Sequence, residues 1–503
     1  TSDTANVTTA TTAGAPTGLA ATAGDTEAAL SWTSPVDVGG SAISDYTVEY
    51  SPDSGSTWET FADGTSTEWS ATVTGLTNGT TYTFRVSAVN EPGVGTASDT
   101  ASTTPVINPI GELDTTFSDD GKIALAIGSG EDKGRDVAID SDGRIIVVGT
   151  THNGSDNDIF VVRFESDGSL DTTFDGDGIV QTDLGSSEDY AYSVVVDSDG
   201  KIVVAGSSNV AGTYDGLVLR YGSDGSLDDT FDADGIVTTD VLGMTDVFYD
   251  LVIQDDGKIV AAGYAYSADG IDQGSWMARY NTDGTLDSSF GTAGSLLQIG
   301  SGSESVYAHW SVAIQEDGKL LAATRLTTTV GMVVRFTADG ASDTEFNDVG
   351  VVLTVMTATY SVGVQADGSV VAAGYANTPA DFIVIRLDSG GELDGSFGDS
   401  GTVTAGLHSG SGFPGFSILI QNDGKLIIAG RVDPGTGYDF AAYRLAVDGS
   451  LDTTFSEDGL VVASINSGDD WVDASVLQDD GKIVMVGYTD NGSNHDVAIM
   501  RFK

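Results

Sequence analysis

The chain has no cysteine in 503 residues. Disulfides and thiolate chemistry are therefore excluded, and the composition fits an extracellular protein of bacterial type without requiring one. Basic residues are scarce. Twenty Lys and Arg stand against 75 Asp and Glu, for a net charge of −55. A surface of that sign repels nucleic acid and anionic membranes, and it favours cations, neutral ligands or simple solubility. Histidine is rarer still: His152, His309, His408 and His495 are all there are, with no metal-ligand spacing, so zinc is not expected. No run approaches the ~20 apolar residues of a membrane-spanning helix. No secretory leader is legible and the chain does not begin with Met, so it reads as a mature protein or an excised fragment.

What is present is short apolar runs between turn residues. The apolar share is 40%, which separates the chain from a disordered acidic tail. Runs this short, bounded by Gly, Asp and Asn, are β-strands. Residues 1–14 are a Thr/Ala-rich, flexible lead-in. Residues 15–105 hold several strands, among them Leu30-Ser31-Trp32, the cleanly alternating 45–50, and 83–90. Pro16, Trp32 and Tyr46, with Leu76 and Tyr82 placed as in a tyrosine corner, make this whole segment resemble a fibronectin type III domain. That resemblance implies a β-sandwich spacer or binding module rather than an enzyme. The Arg-Gly-Asp loop of some members is absent. A Pro-containing linker, 103–108, follows.

From 111 onward one unit recurs seven times, best seen in 192–231. Its Asp-Gly turn lies at Asp142, Asp199, Asp256, Asp317, Asp367, Asp423 and Asp480, at spacings of 57, 57, 61, 50, 56 and 57 residues. Its Leu-Asp-x-x-Phe string ends at Phe117, Phe174, Phe231, Phe290, Phe346, Phe397 and Phe455. These strings resemble the delta-60 repeat of large bacterial surface proteins, which implies a β-propeller of poorly defined biochemical function. The strand count points the same way. Each unit offers four strands, for example 193–197, 201–206, 216–221 and 235–240, and four strands repeated seven times suit a seven-bladed propeller over 106–503. The last unit stops after three strands, so 121–127 is expected to close its blade and remove an exposed edge. The expected fold class is all-β, a fibronectin type III sandwich followed by this propeller.

Arg163, Arg220, Arg279, Arg335, Arg386, Arg444 and Arg501 hold the same place in every unit. On a half-buried strand each needs a carboxylate, and the Asp of each Leu-Asp-x-x-Phe string is the candidate. A ring of Arg binding an anion is the functional alternative, but sevenfold repetition favours the structural pair. Asp175-Gly-Asp177-Gly and Asp232-Ala-Asp234-Gly put carboxylates two apart, as Ca²⁺ loops do; ordinary Asp-Gly turns explain the same strings. Ca²⁺ is thus the expected cofactor, with Asp175, Asp177, Asp232 and Asp234 as its candidate ligands.

Seven residues before each turn stand Arg135, Tyr192, Tyr249, Trp310, Tyr360, Phe416 and Asp473, five of them aromatic. Tyr190, Phe248, Tyr264, Tyr266, Tyr307, Phe413, Tyr438 and Trp471 lie nearby. Aromatic faces beside Asp, Asn and Ser suit sugars or peptides, and packing between blades is the structural alternative. Tyr192, Tyr249, Trp310, Trp471, Tyr438 and Tyr266 are the candidate ligand-binding residues. No Ser-His-Asp order, phosphate loop or recognisable Glu pair is present, so a non-enzymatic protein is expected. The expected function is adhesion: a secreted or surface-displayed protein, part of a larger one, binding a glycan or a cell-surface protein. A polysaccharide-acting hydrolase or lyase and a purely structural module are the alternatives.

Overall fold

The computed structural model describes the chain except for residues 1–8, 25–26, 78, 106–110, 186–187, 211, 242, 244, 267–272, 300–307, 327–329, 378–379, 406–416, 436 and 457. Strands are the only regular element among the described residues. The chain divides into two compact units, Thr1–Pro109 and Ile110–Lys503.

In the first unit Thr17–Ala23, Glu27–Thr33 and Ser70–Thr74 form one antiparallel sheet, and Ile43–Ser51 and Tyr82–Asn90 are the centre of a second. Alternate residues of both sheets face inward. Trp32 meets the Tyr46 ring edge-on at 5.3 Å, beside Val48, Phe84 and Val86. Tyr82 Oη accepts a hydrogen bond from the Thr77 N–H at 3.1 Å, which is the tyrosine corner in physical form.

The second unit is seven four-stranded antiparallel sheets. In the second sheet the strands are Asp189–Val196, Ile202–Val210, Thr213–Tyr221 and Ile236–Thr239, paired in chain order. The first strands of successive sheets, from Asp132–Ile139 to Asp470–Leu477, pack on one another in sequence, and the last packs on the first. That closed circle makes the first strands the innermost and the sheets the blades of a seven-bladed propeller. Buried aliphatic residues of adjacent blades fill the space between them, for example Val148 and Val161 of one against Val204 and Leu219 of the next. The seventh sheet takes its outer strand from the opposite end of the unit: Lys122–Leu125 pairs with His495–Phe502.

The recurrent strings form one clamp per blade. Arg163 Nε donates to Asp171 Oδ2 at 2.7 Å, while Asp171 Oδ1 accepts the Thr173 hydroxyl at 2.6 Å and its N–H at 2.9 Å. The guanidinium lies over the Phe174 ring at 4.6 Å. It then reaches the next blade, where Arg163 Nη1 donates to the Ser223 carbonyl at 2.6 Å. Arg220, Arg279, Arg335 and Arg386 repeat this, reaching the carbonyls of Thr282, Ala338, Ser389 and Val447. Arg444 keeps the pair with Asp452, and Arg501 pairs with Asp114 and donates to the Ser166 carbonyl, which ties the seventh blade to the first. The pairing expected from the sequence thus holds in every blade, and each guanidinium is buried.

The Asp-Gly turns are also more than tight two-residue loops. Asp197 Oδ1 accepts the N–H of both Asp199 and Lys201 at 2.9 Å, so the turn spans four residues and Gly200 takes its positive φ of 77°.

Two predictions follow from the clamp. Asp171→Ala leaves the Arg163 charge buried with its carboxylate gone, and chemical denaturation should show a loss of about 3–5 kcal/mol. The pair also sets the acid limit of the fold. Charge-assisted hydrogen bonds from Ser396, and then Arg386, hold Asp394 down at about 2. A depressed folded pKa gives stability that is full above the unfolded value and is lost as pH falls through the folded one. The melting temperature of the propeller should therefore drop between about pH 4 and pH 2, and less steeply in Asp394→Asn.

Candidate functional site

In five blades the first strand begins further upstream than its apolar run. In the second blade it starts at Asp189, where Asp189 and Ala191 are buried and Tyr190 and Tyr192 half-buried. Here the ladder breaks register. Ala191 pairs with Gly206 and Ser193 with Ala205, so Tyr192 is the extra residue of a β-bulge. The same break falls at Arg135, Tyr249, Tyr360 and Asp473. A bulge leaves one residue unpaired and re-aims its side chain. The positions singled out by sequence are thus the bulged residues of five innermost strands. Their partner glycines have the same cause. A Cβ at Gly206 would fall 1.8 Å from the Tyr190 carbonyl oxygen, because the bulged strand closes down on its neighbour.

Four bulge-level aromatics form a continuous arc. Tyr192 meets Tyr249 edge-on at 5.1 Å, Tyr249 stacks on Trp310 at 4.9 Å, and Trp310 contacts Tyr360 at 5.6 Å. Tyr190, Tyr264 and Tyr375 stack behind them. All of these rings are half-buried. Trp310 Nε1 is buried with no hydrogen-bond partner. Burial pushes the Tyr192 hydroxyl up to about 12 and Tyr249 further, so the arc stays neutral at physiological pH. At the same level the seventh and first blades carry an ion pair instead, Arg135 Nη1 to Asp473 Oδ2 at 2.6 Å.

One residue further along each innermost strand stands a position that the sequence reading passed over and that is polar in six of the seven blades: Asp136, Ser193, Asp250, Ser311, Ser361 and Ser417, with Ala474 in the seventh. Its signal was the position itself, six residues before each Asp-Gly turn. Only two members are carboxylates. Asp136 Oδ2 accepts the Val194 N–H at 2.8 Å, and Asp250 Oδ2 accepts the Val312 N–H at 2.7 Å, each across a blade boundary. Ser193 Oγ donates to Asp250 Oδ1 at 3.0 Å. Both carboxylates keep some accessible surface towards the centre although protein surrounds them. Burial raises Asp136 to about 7, with the Asp250 charge adding to it, and burial raises Asp250 to about 6.

The remaining candidates divide. Trp471 and Tyr438 belong to a second aromatic group: Trp471 stacks on Tyr488 at 4.9 Å, meets His495 edge-on at 5.0 Å and lies 6.5 Å from Tyr438. Tyr438 carries the Arg431 guanidinium over its ring at 4.6 Å. Tyr266 is half-buried at the end of Ile259–Tyr266 and joins neither group. Phe248 is core, fully buried against Trp276 at 4.2 Å. Tyr307, Phe413 and Phe416 lie outside the described residues, as does His408. His309 is buried and neutral, its imidazole pushed down to about 3 by desolvation.

Asp175, Asp177, Asp232 and Asp234 sit on exposed turns. Asp177 and Asp234 accept the N–H groups of Ile179 and Ile236. Among the described residues none of the four stands in a group of three acidic or His side chains within reach of one ion; Asp158, Asp183 and Asp189 do.

Residues 14–104 match the fibronectin type III domain model. Residues 141–174, 198–231, 254–290, 365–397 and 421–455 match the model described as domain of unknown function (DUF5122) beta-propeller. Human myomesin-2 is 39% identical over 77 residues, 15% of this chain and 5% of that protein. Caenorhabditis elegans protein sax-3 is 35% identical over 105 residues, 20% and 8% respectively. The chain thus spans less than a tenth of these curated relatives. Among solved structures, an Fn3-like protein from Clostridium thermocellum is 31% identical, covering 17% of this chain and 86% of that one, with a TM-score of 0.15. A crystal structure of titin domains is 30% identical, covering 19% and 33%, with a TM-score of 0.18.

The bulge geometry makes Gly206→Ala a local probe. Its Cβ meets backbone, which cannot swing away, so the variant should lose about 1–3 kcal/mol in a denaturant melt. The near-ultraviolet circular dichroism of the Tyr192–Tyr249 pair should change with it.

Proposed function

For a chain that is a fibronectin type III domain followed by a DUF5122 β-propeller, we propose an extracellular or surface-displayed protein of bacterial type that binds a glycan at the aromatic arc. The two domain types are consistent with a surface or ligand-binding module. No helix among the described residues is long and apolar enough to cross a membrane. The observation that carries the reading is the arc itself. Tyr192, Tyr249, Trp310 and Tyr360 break the symmetry of the repeat, present ring faces on four neighbouring blades, three of them at bulges, and stand one residue above Ser193, Asp250, Ser311 and Ser361. A pyranose has an apolar face rimmed by hydroxyls, and this surface offers it stacking with hydrogen-bond partners below. The fibronectin-like unit is a spacer, and the protein works by binding, without catalysis.

Two other readings each have one observation in favour. The carboxylates Asp136 and Asp250, shifted towards neutrality beneath the arc, are of the kind that a polysaccharide hydrolase or lyase uses as acid and base. A protein ligand is favoured by an exposed apolar groove on the fourth and fifth blades, lined by Val349, Leu353, Val355 and Leu393.

The test is a glycan array probed with the whole chain. Binding to a defined sugar that weakens roughly tenfold or more in Trp310→Ala and Tyr249→Ala is the expected result. Silence across the array would sink the glycan reading. Release of reducing ends that Asp136→Asn or Asp250→Asn abolishes would replace it with the enzyme.

A further inference from the structure

The outer strand of each blade is the free edge of its sheet. Such an edge offers unpaired N–H and C=O groups, and proteins blunt it with charged side chains. The first two blades do so. Gly178 and Gly235 open their outer strands, each N–H bonded to the preceding Phe carbonyl, of Phe174 and Phe231. Around Gly178 stand Asp177, Gln181 and Asp183, and around Gly235 stand Asp234, Thr238 and Asp240, all exposed.

The fourth blade breaks this rule. Gly350 holds the same place, bonded to the Phe346 carbonyl. Its three equivalent neighbours are Val349, Leu353 and Val355, which are 61%, 60% and 61% exposed. The repeat folds with polar residues at all three positions, so apolar ones are not required there. Leu393 of the fifth blade, 49% exposed, faces them across a groove whose lining also includes the buried Val352 and Ile385. Isolated apolar residues on a surface need no explanation, but a contiguous set marks an interaction site.

The backbone of this edge is open as well. The Arg335 N–H donates to the Gly350 carbonyl and the Thr354 N–H to the Gly331 carbonyl, both at 2.9 Å. In an antiparallel ladder alternate residues bond to the neighbour, so Gly350, Val352 and Thr354 face the third strand, Val330–Phe336. Val351 and Leu353 therefore direct their polar groups outward. Asn347 Nδ2 already covers the Val351 carbonyl at 2.8 Å. The Val351 N–H and both polar groups of Leu353 are left for a partner strand.

Charge decides which partner. Glu392 lines the groove, and the exposed Asp348 lies between two of its lining residues. Among the described residues neither has a Lys or Arg within ion-pair distance. A second copy would set this patch against itself, since a two-fold contact is self-complementary. That would bring Glu392 and Asp348 towards their own kind on a chain of net charge −55. A cationic segment meets no such repulsion.

We propose that the outer edge of the fourth blade takes up an extended segment of another protein as a fifth strand. The segment sets apolar side chains at alternate positions against Val349, Leu353, Val355 and Leu393, and carries Lys or Arg towards Glu392 and Asp348. Main-chain hydrogen bonds to Val351 and Leu353 supply affinity, and the groove selects the side chains. The site lies at the outer strand, apart from the aromatic arc on the innermost strands, and stands whether or not the arc binds a sugar.

The test pans a phage-displayed library of random peptides of about seven residues, enough to run from Val349 to Val355, against the whole chain. The comparison is Val349→Asp with Leu353→Gln and Val355→Asp. This variant installs the residues of the first blade at exposed positions, so the fold is retained, and a thermal melt checks it. Expected are enriched peptides with apolar residues at alternate positions and at least one Lys or Arg. A fluorescent synthetic copy should bind the triple variant roughly tenfold or more weakly. N-methylation of its alternate amides, which removes donors and leaves the side chains, should abolish binding on one edge of the peptide. Glu392→Gln with Asp348→Asn should weaken binding severalfold at low salt and less at high salt. No enrichment over the triple variant, equal affinity for it, or indifference to N-methylation on either edge would each overturn the proposal. So would a dimer in sedimentation equilibrium that the triple variant dissociates, which would assign the edge to a second copy.

Discussion

The buried guanidinium of each blade is the interaction on which the propeller depends. In a chain with 20 basic residues, seven are spent on this one position. A buried charge pair is not by itself a source of stability, because desolvation offsets most of the Coulombic attraction. What the clamp supplies is geometry. Arg163 holds its own loop through Asp171, lies on Phe174, and reaches the carbonyl of Ser223 in the next blade. The aliphatic layers between blades are non-directional and would tolerate sliding. The clamp is directional and does not. It ties neighbour to neighbour, and through Arg501 and the Ser166 carbonyl it ties the last blade to the first.

A symmetric scaffold also separates what repeats from what varies. The clamp end of each blade is nearly invariant. The other end keeps the bulge in five blades and changes what stands on it: Arg135, Tyr192, Tyr249, Tyr360 and Asp473, with Trp310 at the same place in the sequence of the fourth blade. The bulge costs little to repeat, since a glycine opposite it is the one requirement in each of these five strands. It gives each of these blades one side chain lifted out of the ladder.

The fold was legible in the sequence because a propeller is a local pattern repeated. The Asp-Gly turns, the Leu-Asp-x-x-Phe strings and the short apolar runs each gave the same count. The Arg–Asp partnership was legible too, because a conserved cation at one register needs a carboxylate at another. The site was legible only in part. Tyr192, Tyr249 and Trp310 could be selected by register, but Phe248, one residue from Tyr249, read equally well and is core. A period-2 reading cannot see a bulge, which shifts every residue upstream of it to the opposite face. Asp175 and Asp177 are neighbours in sequence, whereas Asp158, Asp183 and Asp189, whose oxygens do gather, come from three elements of two blades, and no linear spacing brings them together.

The closure of the circle sets a schedule for synthesis. Asp114 and its partner Arg501 are 387 residues apart. At ribosomal speeds of about 5–20 residues per second, the first must wait roughly 20–80 s for the second. Throughout that interval the first blade can form, but the segment Lys122–Leu125 has no strand to lie against and the advancing edge of the stack is open. Six blades can assemble by nearest-neighbour contact as they emerge; the seventh cannot be completed by its own sequence. Until the seventh blade meets Lys122–Leu125 the propeller is an open arc, and that single strand pairing converts it into a ring.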